Sequence, residues 1–364
     1  MKTVYPRPLS RPADDLPQAV QPLRAAVLYT KGQALGGEAN DDLLIIKAIE
    51  AVGLEAESVD LANLTVSKSG IFTIVDQSTG DQREWRVPDA VLMYHGALAP
   101  DNTGHLLDQM EKSGSVIVNG RLAWQTMTDK WRFYQLMDDA GVPTIPTRLV
   151  KNHNDAMAAI SQFGWPAVFK TPVGTEGNDV YVVRNEKALR AEVTSRMAEL
   201  GGRVIAQPFI ESRIEEDLEP AILDRVGREA IGMRNDFRIM TLLMPRSAPK
   251  IIAAFHRIAQ DAEQVVNNVA KGSREVMIEF TDLHANDQRT VWCALNAMPD
   301  AQIVGWDLIG PPGERVIMEA NSGPGLPLMP DAAAVELVLG PCAELVKVSA
   351  ERARSVRVNA PRYL

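Results

Sequence analysis

The sequence predicts an α/β protein, with a parallel sheet in its first third and a part of mixed α+β character after it. Three observations predict this. Apolar runs of strand length alternate with helically spaced ones from Ala25 on, strand–turn–strand stretches fill the middle, and a long helix comes last. The size agrees: 364 residues leave room for two domains with their own cores, and 46% apolar with 23% charged residues is an ordinary globular balance.

Residues 1–23 are proline-rich without an apolar segment, and read as an extended arm, not a signal peptide. "AAVLYT" then gives a strand, "KGQALGGEAN" a glycine-bearing loop, and "DDLLIIKAIEAVG" a helix with Leu43, Leu44, Ala48 and Val52 on one side and Gly53 closing it. "LEAESVDL", "DAVLMYHG" and "GSVIVNG" add strands, which places a first α/β domain at 24–120. In "TDKWRFYQLMDDAGVPTIPTRLV", Thr128 is the expected cap of a helix over 129–140, Gly141 ends it, and Pro143 and Pro146 lead into a strand. "WPAVFKTPVGTEGNDVYVV" reads as strand, turn, strand; the helix "EKALRAEVTSRMAEL" and the strand "RVIAQPFI" follow. The last helix, "DAAAVELVLGPCAELVKVSAERAR", carries Gly340 and Pro341, where a kink is expected.

A net charge of −9 argues against nonspecific nucleic-acid binding, while leaving room for a local basic pocket. No apolar window reaches the roughly 18 residues of a membrane span. Cys293 and Cys342 form neither a CxxC pair nor a disulfide framework, which fits a reducing, cytoplasmic setting. The histidines lack metal-ligand spacing, "ANSGPG" is not a GxSxG elbow, and no GxGxxG follows the first strand.

Four stretches carry chemistry. In "KTPVGTEGNDV", Gly174, Thr175, Glu176 and Gly177 lie between two strands, with Lys170 at the end of the first. Glycines let backbone N–H groups approach phosphate oxygens, yet a plain hairpin turn has the same look. Lys130, at the start of a helix, would join Lys170 in clamping phosphates, although single lysines are mostly solvated surface charges. "NDFRIMTLLM" puts Asp236 and Arg238 on one strand face, and "IIAAFHRIA" brings Arg257 on an adjacent strand. Two such arginines suit a transferring phosphoryl group, and a cross-strand Asp–Arg pair is the plainer alternative. Finally, "QIVGWDLIGPPGERVIMEANSGPGL" reads as a hairpin that sets Asp307 beside Glu319, with Asn321 on the same side. These oxygens suit Mg²⁺, and an unpaired Asp307 among apolar neighbours would be costly.

In this order, from about Asn119 to Leu326, the stretches resemble the ATP-grasp superfamily, and within it the RimK-like and glutathione-synthetase-like ligases. The resemblance rests on "TDKWRFYQLMDDAGVPTIPT", "FKTPVGTEGNDV", "AQPFI", "NDFR", "AAFHR", "NNVAKG", and "GWDLI" followed by "MEANSGPGL". It implies a pre-ATP-grasp domain at 24–120, a small lobe at 121–205 and a large lobe with the C-terminal helix at 206–364. It also implies ATP as co-substrate, Mg²⁺ (two ions) as cofactor, and amide formation through an acyl phosphate. Lys130 and Lys170 then look like the lysines on the ATP phosphates, under the loop of Gly174, Thr175, Glu176 and Gly177. Gln207, Pro208, Phe209 and Ile210 look like the hinge that reads the adenine edge, Asp236 like a nucleotide contact, and Asn268 like a polar active-site contact. Arg238 and Arg257 look like the arginines around the γ-phosphate, and Asp307, Glu319 and Asn321 like the Mg²⁺ ligands.

Three positions depart from the family pattern. Asp179 replaces a second loop glycine, Val266 stands where the RimK-like ligases tend to have arginine, and residues 211–234 form a long, acidic insertion between hinge and DxR. The insertion reads as a substrate or oligomerisation element or an extra surface helix. Expected partners are small carboxylate and amine substrates, with no nucleic acid and no membrane; a homodimer stays open. A peptide macrocyclase, a small-molecule kinase and a non-catalytic nucleotide-binding protein remain alternatives.

Overall fold

In the computed structural model, which describes residues 21–30, 41–93, 102–174, 179–261, 272–323 and 332–359, the first segment begins β1 (Arg24–Tyr29), α1 (Asp41–Ala51), β2 (Glu55–Asp60). A small antiparallel meander follows, β3 (Leu64–Val66), β4 (Phe72–Val75) and β5 (Gln82–Trp85), and then β6 (Ala90–Met93), α2 (Thr103–Lys112) and β7 (Val116–Val118). The expected strands pair as a parallel sheet in the order β2-β1-β6-β7. The meander was not foreseen: its strands are short, and one inward face, with Phe72 and Trp85 edge-to-face at 5.9 Å, holds it on the core.

The middle segment runs α3 (Arg121–Thr128), α4 (Lys130–Asp139), β8 (Arg148–Val150), α5 (His153–Phe163), β9 (Ala167–Lys170), β10 (Val180–Val183), α6 (Glu186–Glu192) and β11 (Val204–Pro208). Its sheet is antiparallel in the order β10-β9-β11-β8. Thr128 is not the cap expected of it. Its hydroxyl donates back to Trp124 O at 3.0 Å and ends α3, while the Asp129 carboxylate accepts from Trp131 N at 3.0 Å and starts α4. The carboxylate also suits the positive end of the helix dipole better than a hydroxyl does. Helix α6 is shorter than its sequence suggested, because β-branched Val193 and Thr194 introduce a 3₁₀ turn over Thr194–Arg196.

The last segment supplies α7 (Pro220–Val226), β12 (Asn235–Leu242), β13 (Lys250–Ile258), β14 (Arg274–Met277), α8 (Ala285–Ala297), β15 (Ile303–Ile309), β16 (Val316–Asn321) and α9 (Ala332–Asn359). An antiparallel five-stranded sheet of order β14-β13-β12-β15-β16 is buried on both sides. Phe237, Ile239, Trp306 and Leu308 face one core; Met240, Leu242 and Phe255 face another, shared with Ile49 of α1 and Val346 of α9. Helix α9 continues through Pro341 instead of breaking there.

The acidic insertion is core structure. Leu218, Ile222, Leu223 and Val226 are buried in the main core. The Glu219 carboxylate takes the fully buried Arg315 guanidinium in a two-pronged grip, at 2.5 and 2.7 Å, and Asp287 Oδ2 accepts from the same guanidinium at 2.7 Å. Removing apolar volume here must therefore destabilise the whole large sheet. Ile222→Ala is expected to cost about 2–5 kcal/mol, read by urea denaturation. Exposed Glu229→Ala should stay within about 0.5 kcal/mol; equal effects would return the segment to the surface.

Candidate active site

Strand register assembles the site. Asp236 of β12 lies opposite Arg257 of β13, Arg238 opposite Asp307 of β15, Asp307 opposite Glu319 of β16, and Gly305 opposite Asn321. Directly opposed residues share a sheet face, so these side chains form one polar row. A register shift between Asp307 and Leu308 is essential to it. Ile317 pairs with Leu308 and Glu319 with Asp307, so Met318 has no residue across from it. Without that bulge Ile317, Glu319 and Asn321 would face alike; with it, Ile317 enters the core while the other two join the row. Buried Tyr134 of α4 donates its hydroxyl to the Met318 carbonyl and so holds the bulge.

Ion pairs knit the row together. Arg257 Nε donates to Asp236 Oδ1 at 2.5 Å, and its Nη2 lies 3.1 Å from Asp307 Oδ2. Arg238 donates from Nε to Asp307 Oδ1 and from Nη2 to Oδ2 at 3.1 Å. The Asn321 amide nitrogen faces Gly305 O at 3.3 Å and Asp307 Oδ2 at 3.4 Å. Burial pushes the Asp307 carboxyl up, but Arg238 and Arg257 outweigh it and hold it below the usual carboxylate range. Asp236 is raised to about 6, because burial and the nearby Asp307 charge together exceed the pull of Arg257.

The lysines enter from the middle segment. Lys130, first residue of α4, donates to Gly174 O at 2.8 Å and lies 3.0 Å from Glu319 Oε1. Lys170 is buried at the end of β9, 5.7 Å from the Tyr134 ring centroid. Burial lowers its ammonium to about 8, with the Lys130 charge adding to the effect and Glu319 and Asp307 opposing it. Gln207 turns its amide inward to Thr147 Oγ1 at 2.8 Å. The β11 ladder ends at Pro208, opposite Ala167; Phe209 N donates to Pro166 O at 3.3 Å, and Ile210 packs on the main core.

Thr175, Glu176, Gly177, Asn268 and Val266 lie outside the described residues. Asp179 takes φ 55°, the left-handed region, and accepts from Tyr181 OH at 3.2 Å. It thus keeps a glycine-like backbone, with its carboxylate engaged by Tyr181. Asp236, expected against nucleotide, is buried and committed to Arg257. Sequence reasoning missed Tyr134 and Asn119. The latter has φ 75° and accepts on Oδ1 from Gln302 N at 2.9 Å and Ile303 N at 2.6 Å, while its amide donates to Ser322 O at 2.7 Å. The Asn-Gly dipeptide was its one local signal.

A family model for the RimK-like ATP-grasp domain matches residues 127–338. The chain belongs to that family, a family of ATP-dependent ligases. It is 26% identical over 283 residues to a probable alpha-L-glutamate ligase of Pseudoalteromonas translucida, spanning 78% of this chain and 83% of the relative. Among solved structures, D-alanyl-alanine synthetase A from Vibrio cholerae superposes with a TM-score of 0.62 at 13% identity, over 92% of this chain and 99% of that one. The ATP-grasp ligase PsnB, complexed with minimal precursor, Mg and ADP, gives 0.53 at 15% identity, over 90% and 97%.

The donor set fits the Mg²⁺ that the family implies. Among the described residues no three of His, Cys, Asp and Glu converge as a metal cluster. Asp307, Glu319 and Asn321 instead offer two carboxylates and one amide oxygen, all hard donors. Such a sparse set suits a cation that keeps water and phosphate oxygens in its shell.

Lys170 makes this site pH-sensitive. Its folded value of about 8 lies below the ordinary 10.5. Between these values the unfolded chain holds the proton and the folded chain does not, so stability rises with pH across this window. Denaturation at pH 7 and pH 10 should show the wild type gaining stability relative to Lys170→Met. ATP affinity should move the other way, weakening by up to about tenfold per pH unit above 8. Parallel profiles for the two proteins would remove Lys170 as the source.

Proposed function

We propose that the protein joins a small, amino-acid-like carboxylate to an amine, with ATP as co-substrate and an acyl phosphate as intermediate. The observation that carries this reading is the row Asp236–Arg257–Asp307–Arg238, with Lys130 and Glu319 at its flank. It offers two guanidinium groups to a phosphoryl group and two carboxylates to a cation on one rigid sheet face. The name of the Pseudoalteromonas relative supports an amino-acid substrate.

In this reading 121–205 and 206–364 are the two lobes around ATP, with 24–120 ahead of them. Lys130 and Lys170 bind the phosphates beneath residues 174–177, and the backbone at Gln207 to Ile210 meets the adenine edge. Asn268 contributes a polar contact, and Asp236 orients Arg257. Asp307, Glu319 and Asn321 hold Mg²⁺, two ions in the full complex. When bound, the metal supplies neutralising charge at the β- and γ-phosphates. A substrate carboxylate oxygen attacks the γ-phosphorus and ADP leaves, with Arg238 and Arg257 stabilising the transferring group. The amine nitrogen then attacks the acyl carbon, phosphate departs, and the nitrogen loses a proton. No enzyme nucleophile is required.

Phosphate release from purified protein with ATP, Mg²⁺ and pooled acids and amines tests this. Release should need both an acid and an amine, and hydroxylamine should replace the amine and yield a hydroxamate. A stable phosphorylated product without amine dependence would make the protein a kinase; tight ATP binding without turnover on any pool would make it a non-catalytic binder. Arg257→Met should lower kcat by about 10²–10³-fold, measured in the same assay.

A further inference from the structure

A crevice of about 560 Å³ opens where edge strand β7 and the start of α3 meet the β12–β13 turn and α9. It has three features of an anion site. The first is charge: Arg121, Arg246 and Arg352 line it, against Glu111 and Asp300. Arg121 pairs with Glu111 at 3.2 Å, whereas Arg246 and Arg352 make no ion pair among the described residues. In a chain of net charge −9, this is a local reversal of sign. The second is the N-terminus of the eight-residue helix α3, whose cap residue Gly120 provides no side-chain hydrogen bond. Its first-turn residues line the crevice, and such N–H groups carry the positive end of the helix dipole. The third is Ser349 of α9. It is 1% exposed, lines the same crevice, and its Oγ has no hydrogen-bond partner.

We propose that this crevice binds a small organic anion through a carboxylate or phosphate group. Arg246 and Arg352 supply charge-assisted donors, the α3 terminus supplies backbone N–H groups, and Ser349 supplies the hydroxyl that closes the site from below. The crevice lies beyond the catalytic row but is joined to it. Its wall residue Gln302 accepts from Asn119 N at 3.2 Å, and Asn119 donates to Ser322 O, one residue beyond Asn321. The proposal does not rest on the ligase reading, because binding here can be measured without turnover.

Calorimetric titration of the full chain with inorganic phosphate and, separately, with citrate at low salt tests it. One saturable site is expected for at least one probe, and the tighter of the two names the anionic group. The Arg246→Ala/Arg352→Ala double variant removes only exposed side chains, so it should keep wild-type ATP affinity while binding the anion at least about tenfold more weakly. Ser349→Ala should weaken binding severalfold, and Lys130→Ala, which damages the nucleotide clamp, should leave it unchanged. Absence of saturable binding by both probes would overturn the proposal. So would binding that survives the double variant, or that disappears in Lys130→Ala instead.

Discussion

The carboxylate of Asp307 sets the terms for the rest of the large sheet. It is 3% exposed, in the middle of a strand between Trp306 and Leu308, and an isolated charge there would be untenable. Arg238 and Arg257 answer it from the two strands on one side, and Asp236 balances the second guanidinium. Two negative and two positive groups make the row neutral without ligand. The same groups are the ones a nucleotide and its metal need. A phosphoryl group gives the arginines a second anionic partner as a cation gives Asp307 a second positive one. The exchange keeps the charge balanced and demands little movement of the backbone, which is how preorganised electrostatics lowers a barrier. Glu319 and Lys130 repeat the arrangement one strand further along.

That neutral row exists only because the strands are in a particular register. Shifting β16 by one residue would send Glu319 into the core and Ile317 to the polar face. The bulge at Met318 and the Tyr134 hydroxyl on its carbonyl fix the register from α4. The next helical neighbour of this device is Lys130, which joins α4, the Gly174 carbonyl and Glu319. One helix thus sets both the aim of the carboxylates and the position of the lysine that faces them.

Much of this could be read from the chain. The two-residue spacings of Asp236 with Arg238 and of Glu319 with Asn321 placed each pair on a face, and the Pro-Pro-Gly turn predicted that β15 and β16 would meet. The bulge could not be read, since a strand with one extra residue looks like any other strand. The insertion was misjudged because acidity was given more weight than spacing. Leu218, Ile222, Leu223 and Val226 recur at helical intervals, and their burial follows from that pattern. Arg315 gave no signal, as its partner Glu219 lies 96 residues away. At Thr128-Asp129 two good capping residues stand side by side, and only the fold decides that the first ends one helix and the second begins another.

The reverse face of β12 explains why the row is rigid. Arg315, gripped by Glu219 and Asp287, lies 4.2 Å over the Phe237 ring, and Phe237 stacks parallel on His256 at 4.3 Å. His256 Nε2 is 3.0 Å from Asn235 Oδ1, at the start of the strand that carries Asp236 and Arg238. Burial, reinforced by the Arg315 charge, lowers His256 to about 3, so its ring stays neutral at any ordinary pH. A protonated imidazole beside that guanidinium would set two like charges in a low-dielectric core. Because His256 stays neutral, the backing of the strand keeps its charge state through the working range. Of the groups around the site, Asp236 at about 6 and Lys170 at about 8 are left to respond to pH, and both lie on the side where the nucleotide is proposed to bind.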